Sequence, residues 1–568
     1  MKRGQASFSS VLNRRLAVIA VMVLFALIGI ESRFIYLQIF ARPALTALAN
    51  SQLETNSIPI KAKRGMILDA NGKILAQDVA TWSAGLYMPE VRDVAWTAQT
   101  IASVLGVARK DLEIRIRDAS LSFIYVQKQV SLEEYESLLS LDIPGMVLDK
   151  TYRRIYPSGA LVSSVVGVTG TDNQGLSGLE FQYDSLLKGT DGKRAFRVSG
   201  SSPGAPAVME EVSEAIAGKN ILLTLDVNVQ FFAQQALAET LSAYEGERAT
   251  CIILNPKTGA VLAMVDAPGV DPEHWREAPD SMLTEKAVSY NYEPGSVFKA
   301  VTSAAGLDSN TITATDTFHS SGSLKVFDTV VHDLYAYGTM DLYHMLQYSS
   351  NVGFAQLGMK IGASRFLACI QQYGFGKKTG IDLPGEESGI VPPLAQWSKT
   401  TLPTMSFGQG VAVTAIQMAN FYATIANGGV QRRPYVVDRI EDASGTSQRT
   451  DVPGIVGQVV GAETARIVLE GLHGVVKENE GVFSAYIPGY QVAGKTGTAQ
   501  IAAPGGGYVQ DGSYIYSFAG ILTANDPRAV VFLSIHETHK GERTSFMVAG
   551  PTFKKIALQL IQYLRLEP

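Results

Sequence analysis

The sequence predicts an α+β protein in which an antiparallel sheet is flanked by helices, behind a β-rich first domain and one N-terminal membrane-spanning helix. Three observations carry that expectation. A basic cluster followed by a long apolar run opens the chain. A Gly/Ser/Pro-rich passage, SGSSPGAPAVMEEVSEAIAGKN, then reads as a loop or domain junction. Beyond it, helical and strand periodicities place antiparallel strands between an early and a late helix. The expected division is 1–15 as a cytoplasmic N-terminus, 16–40 as the anchor, 41–215 as the first domain and 216–568 as the second.

Leu16 to Ile30 is unbroken apolar sequence, and Phe34 to Phe40 resumes it after Glu31, Ser32 and Arg33. Continued as one helix, the segment reaches the roughly 20 residues that a hydrocarbon core requires. Lys2, Arg3, Arg14 and Arg15 precede it, which favours a cytoplasmic N-terminus and export of the remainder. A cleaved signal peptide fits less well, because the nearest small-residue cleavage pattern, Ala47-Leu48-Ala49, lies well beyond the apolar run.

In the first domain, Asn71-Gly72 between Met66–Leu68 and Ile74–Leu75 predicts a tight hairpin. VARKDLEIRIRDA predicts one of several short helices there. In the second domain Asp226 is a candidate N-cap, and Val229, Phe232, Ala233, Ala236 and Leu237 recur at helical spacing. ATCIILN, PKTG and AVLAMVDA read as strand, turn and strand. AVVFLSIHE reads as a further strand and PTFKKIALQLIQYL as an amphipathic closing helix. Cys251 and Cys369 fall in apolar runs and read as small core residues.

Composition excludes some classes. The chain has 568 residues, 18% of them charged and 46% apolar, with net charge -5. That is globular composition, and it offers no electrostatic footprint for nucleic acid. His536 and His539 lie three apart in HETHK, which is not a zinc-protease spacing, so no metal is expected.

The chemistry lies in three short motifs. In YEPGSVFKAV, Ser296 and Lys299 follow a Pro-Gly turn and open a helix. At i and i+3 they share one face, so the lysine can take the serine proton if burial or nearby cations lower its pKa. In QYSSNVG, Ser349 and Asn351 project from a loop, one able to relay a proton and the other to hold a peptide group. In AGKTGTAQ, Lys495, Thr496, Gly497 and Thr498 form a strand whose glycine admits a substrate backbone, with cation and hydroxyls for a carboxylate. Each motif alone is weak. Ser185–Lys188, Ser289–Asn291, Lys257–Gly259 and Lys378–Gly380 repeat the spacings elsewhere. Only 296–299, 349–351 and 495–498 run in order as turn-helix, loop and strand.

That ordered set resembles the class B penicillin-binding proteins, the peptidoglycan D,D-transpeptidases, particularly the division-type members. The resemblance extends to Arg64-Gly65-Met66-Ile67-Leu68-Asp69, Tyr156-Pro157, Gly167 and Gln174–Glu180. It continues through Glu293-Pro294-Gly295, Leu383–Glu386 and Ser406–Gly410. It implies the penicillin-binding serine transpeptidase fold on 216–568, with 41–215 as a pedestal that meets a polytopic glycan polymerase. It further implies that Ser296 attacks the penultimate D-Ala carbonyl of a stem peptide, with Lys299 as base and Ser349 as proton relay. Asn351 would bind the substrate amide and Lys495 would set the potential around Ser349. Thr496 and Thr498 would hold the terminal carboxylate, or that of a β-lactam. The backbone N–H groups of Ser296 and Thr498 would form the oxyanion hole, with no cofactor. The family's single-pass placement in the cytoplasmic membrane implies a catalytic domain outside the cytoplasm. No glycosyltransferase segment is expected. Four alternatives stay open: a penicillin hydrolase, a D,D-carboxypeptidase, a scaffold for the polymerase, and a transpeptidase of wall elongation instead of division. The first is disfavoured because no Glu-x-x-x-Asn lies between Asn351 and Lys495.

Overall fold

The computed structural model describes residues 5–43, 57–198, 207–442, 444–449, 454–479, 481–501, 503, 507–509, 513–541 and 543–568. Two compact units interleave along the sequence. One is drawn from Met1–Lys61, Thr81–Thr151 and Asp191–Ala215, the other from Ala62–Ala80, Tyr152–Thr190 and Ile216–Pro568.

In the first unit, Gln5–Ile35 is α-helical and Tyr36–Phe40 continues it as a π-helical turn. Its Asn13–Phe40 stretch is long and apolar enough to cross a membrane, and it buries nothing against the protein. A helix whose apolar surface is exposed all round suits lipid, where every backbone group must be bonded within the segment. Lys2, Arg3 and Ala47–Ala49 lie outside the described residues. The same unit holds a small α/β core in which Ala84, Leu86, Ala98, Ile101, Leu112, Ile116, Val126 and Leu138 are buried together. Its expected helix is present as Arg109–Arg117. A three-stranded antiparallel sheet joins Ser57–Ile60, Gly192–Val198 and Ala207–Ser213. This corrects the sequence reading of the junction: 199–206 lie outside the described residues, but Ala207–Ser213 is a strand. Its pairing partner is Gly192–Val198, the strand just before it in sequence, and the Gly/Ser/Pro-rich stretch hid that antiparallel pair.

The second unit opens with the predicted hairpin. Gly72 takes φ +81, and the Asp69 carboxylate accepts the N–H groups of Asn71 (2.9 Å) and Lys73 (2.7 Å). The motif residues around it are buried ions. Arg64 Nε donates to Glu180 Oε2 (2.6 Å) and its Nη1 to Asp184 Oδ1 (2.7 Å). Arg154 Nε donates to Glu180 Oε1 (2.7 Å) and lies 3.4 Å from Asp78 through Nη1. The side chains of Arg64, Glu180 and Asp78 are 0% exposed. A guanidinium so enclosed ties its own fold together and has no face for a partner.

The rest of this unit is built on five strands: Gly246–Leu254 (β1), Val261–Ala267 (β2), Ala493–Gln500 (β3), Tyr514–Leu522 (β4) and Ala529–Thr538 (β5). They form one antiparallel sheet in the order β2-β1-β5-β4-β3, which leaves β3 at an edge. The helices that matter are Val227–Tyr244 (α1), Lys299–Asp308 (α2), Asn351–Ile361 (α3), Ala415–Ala426 (α4), Ala462–Val475 (α5) and Ser545–Tyr563 (α6). α1 and α6 pack on each other and on the sheet, while α4, α5 and α2 form a second packed group against it. β4 and β5 are buried at almost every position, as strands covered on both faces must be. Asp226 caps α1 by accepting Asn228 N–H at 2.8 Å. α6 begins six residues before the expected Pro551. The proline has no N–H for the carbonyl of Met547, and the Tyr244 hydroxyl donates to that oxygen instead (3.0 Å). Cys251 is buried and Cys369 half-buried, and both thiols are free.

Candidate active site

Pro294 and Gly295 turn the chain into a 3-10 helix, Gly295–Phe298, from which α2 continues at Lys299. The tighter first turn differs from the α-helix expected at Ser296, but 3-10 geometry still stacks side chains at i and i+3. Gly295 has φ +60, and a Cβ there would come within 2.6 Å of the Thr498 carbonyl, so the turn presses against β3 as only glycine allows. Its N–H donates to Gly408 O (3.0 Å), which ties the turn to the Ser406–Gly410 loop. Ser296 is half-buried at this corner, and its backbone N–H falls in the first turn, where helical N–H groups lack helical acceptors.

Lys299 is fully buried. Its ammonium donates to Ser349 O (2.5 Å), Ser349 Oγ (3.0 Å) and Asn351 Oδ1 (2.7 Å), which uses all three of its hydrogens. Lys495 reaches the same hydroxyl from β3, Nζ to Ser349 Oγ 2.9 Å. Ser349 Oγ therefore accepts from both lysines, and its own hydrogen remains for the cleft. Ser296 Oγ makes no hydrogen bond among the described residues. Burial pushes the Lys299 pKa well below the ordinary lysine value, and the neighbouring Lys495 charge adds to this while Asp333 opposes it. Burial alone brings Lys495 down to about 7. Two ammonium groups on one oxygen in an enclosed site cannot both stay charged cheaply, so the charge on Lys495 favours loss of the Lys299 proton.

Ser349 occupies the left-handed region, φ +55, between the short helix Leu342–Gln347 and α3. That is unusual for serine and is held by its surroundings. Asp333 does most of the holding. Its Oδ2 accepts from Ser320 and Ser350 hydroxyls (2.6 Å each), and its Oδ1 accepts Val352 N–H (3.1 Å). Ser350 in turn caps α3 by accepting Gly353 N–H (2.9 Å). Asn351 Nδ2 donates to His332 O (3.1 Å), which fixes the amide and leaves its other N–H for a ligand.

On β3, Lys495 and Gly497 are buried, Thr496 is half-buried and Thr498 is exposed. A Cβ on Gly497 would lie 2.3 Å from Ser517 Oγ and 3.0 Å from Pro294 O, so the strand lies close under the Pro294-Gly295 turn. Ser296, Ser349, Asn351 and Thr498 line one cleft of about 350 Å³, with Asp333, Tyr337, Tyr348 and Gln409 among its walls. One set of groups thus offers a hydroxyl nucleophile, two lysines of lowered pKa and a second hydroxyl between them. That constellation suits acyl transfer through a covalent intermediate.

Comparison with known proteins supplies the family. Residues 249–558 match the penicillin binding protein transpeptidase domain, and 59–223 match the penicillin-binding protein dimerisation domain. Stage V sporulation protein D of Bacillus subtilis is 30% identical over 98% of this chain and 86% of its own length. Peptidoglycan D,D-transpeptidase FtsI of Escherichia coli is 28% identical over 100% of this chain and 94% of its own. Penicillin binding protein 3 of Mycobacterium tuberculosis, solved with aztreonam, superposes with TM-score 0.69 at 29% identity, covering 90% of this chain and 98% of that one. The chain belongs to the penicillin-binding proteins. It is a peptidoglycan transpeptidase of the serine acyl-transferase type.

In this penicillin-binding protein the repeated spacings have structural uses. Lys257–Gly259 forms the β1–β2 turn, with Lys257 paired to Asp526. Thr379 N–H and hydroxyl both donate to Glu386 Oε1 (2.6 Å each), which closes the loop around Leu383–Glu386. His536 is buried against the rings of Tyr290 and Tyr292, whereas His539 is exposed and 3.5 Å from Glu247. Sequence reasoning missed Asp333 and Ser545. Neither belongs to a motif, and each acts through residues distant in sequence. Glu293 was noted only for its position before Pro294. Its carboxylate accepts Gly410 N–H (2.8 Å) and the Tyr508 hydroxyl (3.0 Å), joining two loops beside the Pro294-Gly295 turn.

Proposed function

We propose that Ser296 is the acylated nucleophile of a D,D-transpeptidase acting on D-Ala-D-Ala stem peptides, and the single observation that carries this is the convergence of Lys299 and Lys495 on Ser349 Oγ beside it. Lys299, once neutral, takes the Ser296 proton as Oγ bonds to the penultimate D-Ala carbonyl. The N–H groups of Ser296 and Thr498 hold the oxyanion. The carbon–nitrogen bond breaks, and the proton passes through Ser349 to the departing D-Ala amine. An amine of a neighbouring stem peptide then attacks the ester, its proton returns through the same groups, and Ser296 recovers its hydroxyl. One amide is exchanged for another, so the step needs no redox partner. Asn351 holds the substrate amide, Thr496 and Thr498 its terminal carboxylate, and Gly497 admits its backbone. Lys495 keeps positive potential at Ser349.

The proposal extends to placement. Residues 1–15 lie in the cytoplasm, 16–40 cross the membrane, 41–215 form the pedestal and 216–568 form the catalytic domain outside the cytoplasm. The work is septal wall synthesis beside a polytopic glycan polymerase, a reading supported by full-length similarity to the E. coli protein named FtsI. A second reading, wall synthesis in sporulation, is favoured by the name of the B. subtilis relative. A fluorescent fusion concentrated at midcell of growing cells supports the first, and signal confined to sporulating cells supports the second.

The chemical test is incubation of the full chain with a penicillin, followed by intact and peptide mass. A lasting adduct on Ser296, absent in Ser296→Ala, is expected. An adduct lost within seconds would make the chain a hydrolase, and none on folded protein would leave it a scaffold. Product analysis with a D-Ala-D-Ala peptide and an amine acceptor separates transfer from carboxypeptidase hydrolysis.

A further inference from the structure

Ser545 opens α6 and is 3% exposed, yet its hydroxyl lies against the strand that carries the substrate-facing threonines. It hydrogen-bonds the Gly497 carbonyl, and its oxygen is 2.6 Å from Thr498 Oγ1. A serine hydroxyl has one hydrogen, and a carbonyl can only accept. With that hydrogen committed to Gly497 O, the 2.6 Å bond must be donated by Thr498. The Thr498 hydrogen therefore points into the protein, away from the cleft that Thr498 lines with Ser296.

A carboxylate cannot bind a hydroxyl in that state, because both would present lone pairs. We infer that Ser545 is a positioning residue that lets Thr498 redirect its hydrogen from Ser545 to an anionic substrate when one arrives. Two rotations about Cβ–Oγ bonds suffice. Ser545 turns its hydrogen from Gly497 O to Thr498 Oγ1, and Thr498 turns its own to the carboxylate. The Gly497 carbonyl keeps a longer bond from the Ser517 hydroxyl (3.4 Å). The result is a chain, Ser545 O–H to Thr498 O–H to carboxylate, in which each bond polarises the next. No bond is made or broken covalently. The inference rests on the reading of Thr498 as a carboxylate ligand and adds the residue that controls it.

The test compares acylation of the full-length protein by benzylpenicillin and by its methyl ester, which lacks the anion. Stopped-flow data separate the binding constant from the acylation rate constant. Ser545→Ala is expected to weaken benzylpenicillin binding by up to about tenfold, the upper scale of one neutral hydrogen bond, with the rate constant held within about twofold. The ester should react with Ser545→Ala as with the parent. Ser545→Thr restores the hydroxyl and should recover binding. Ser545→Cys keeps the volume with a weak donor and should fall between, which keeps the test open if the alanine variant folds poorly. In a Thr498→Val background, Ser545→Ala should change nothing further. Equal loss toward acid and ester in Ser545→Ala would make Ser545 a packing residue and overturn the inference. If Thr498→Val leaves the preference for acid over ester untouched, the carboxylate reading itself fails. If Thr498→Val abolishes that preference while Ser545→Ala preserves it, only the switch fails.

Discussion

Replacing Arg64 by alanine is expected to unfold the protein more easily without harming the chemistry of the molecules that remain folded. Arg64 makes four hydrogen bonds through its side chain: to Glu180 Oε2 (2.6 Å), Glu180 O (2.8 Å), Asp184 Oδ1 (2.7 Å) and Asn173 O (3.2 Å). The enclosed group comprises Arg64 and Arg154 against Asp78, Glu180 and Asp184, +2 and −3 in formal charge. Deleting Arg64 leaves +1 against −3, with Glu180 buried beside a single counter-ion. Breaking a buried pair from one side costs about 3–5 kcal/mol. In a unit this large that corresponds to a drop in melting temperature of about 4–6 °C. Thermal unfolding of the detergent-solubilised chain measures the drop, and penicillin labelling per folded molecule should stay at the parent level. Removing Glu180 as well brings the group to +1 against −2, so Arg64→Ala/Glu180→Ala should lose less than the two single variants added together. A melting temperature within about 2 °C of the parent would refute the reasoning. If such a variant failed to support growth, the motif would be a partner surface after all.

Three further outcomes follow from the site. Lys495→Met removes the like charge that helps hold down the Lys299 pKa, so the Lys299 value rises and the acid limb of the residual acylation–pH profile moves to higher pH. An unmoved limb, or one moved toward acid, would contradict the pairing of the two lysines. Asp333→Asn leaves one acceptor where two hydroxyls and an N–H now converge, so the Ser349 turn loosens and the acylation rate constant should fall by roughly 10–100-fold. Stopped-flow acylation with unchanged rate would show that the turn holds itself. Tyr508→Phe deletes the donor to Glu293 and should cost about 1 kcal/mol in thermal stability. Burial already raises the Glu293 pKa, and loss of this hydroxyl, which lowers it, should raise it further, as carboxyl infrared titration would detect.

What the sequence disclosed follows from where the physical constraints are local. Ser296 and Lys299 share one turn, Asn71-Gly72 encodes its own backbone, and the apolar run of the anchor needs no partner to declare itself. The three motifs were legible as a set only because their order and their turn, loop and strand settings exclude the repeats at Ser185, Ser289, Lys257 and Lys378. The repeats are themselves instructive. Thr379 serves a loop through Glu386, and nothing in K-T-G distinguishes that duty from the strand at Lys495. What stayed hidden is non-local. Asp333 shapes Ser349 from sixteen residues upstream, and Ser545 governs Thr498 from the far end of the domain. α6 runs through Pro551 because Tyr244, far earlier in the chain, supplies the missing donor. In each case the deciding hydrogen bond joins groups that only the fold brings together. Ser296 with Lys299, and the run Lys495–Thr498, announce themselves in sequence because each set lies within one turn or one strand. The groups that hold those residues in working geometry are under no such constraint, and the supporting layer of this site is therefore found by following hydrogen bonds outward from Ser349 and Thr498.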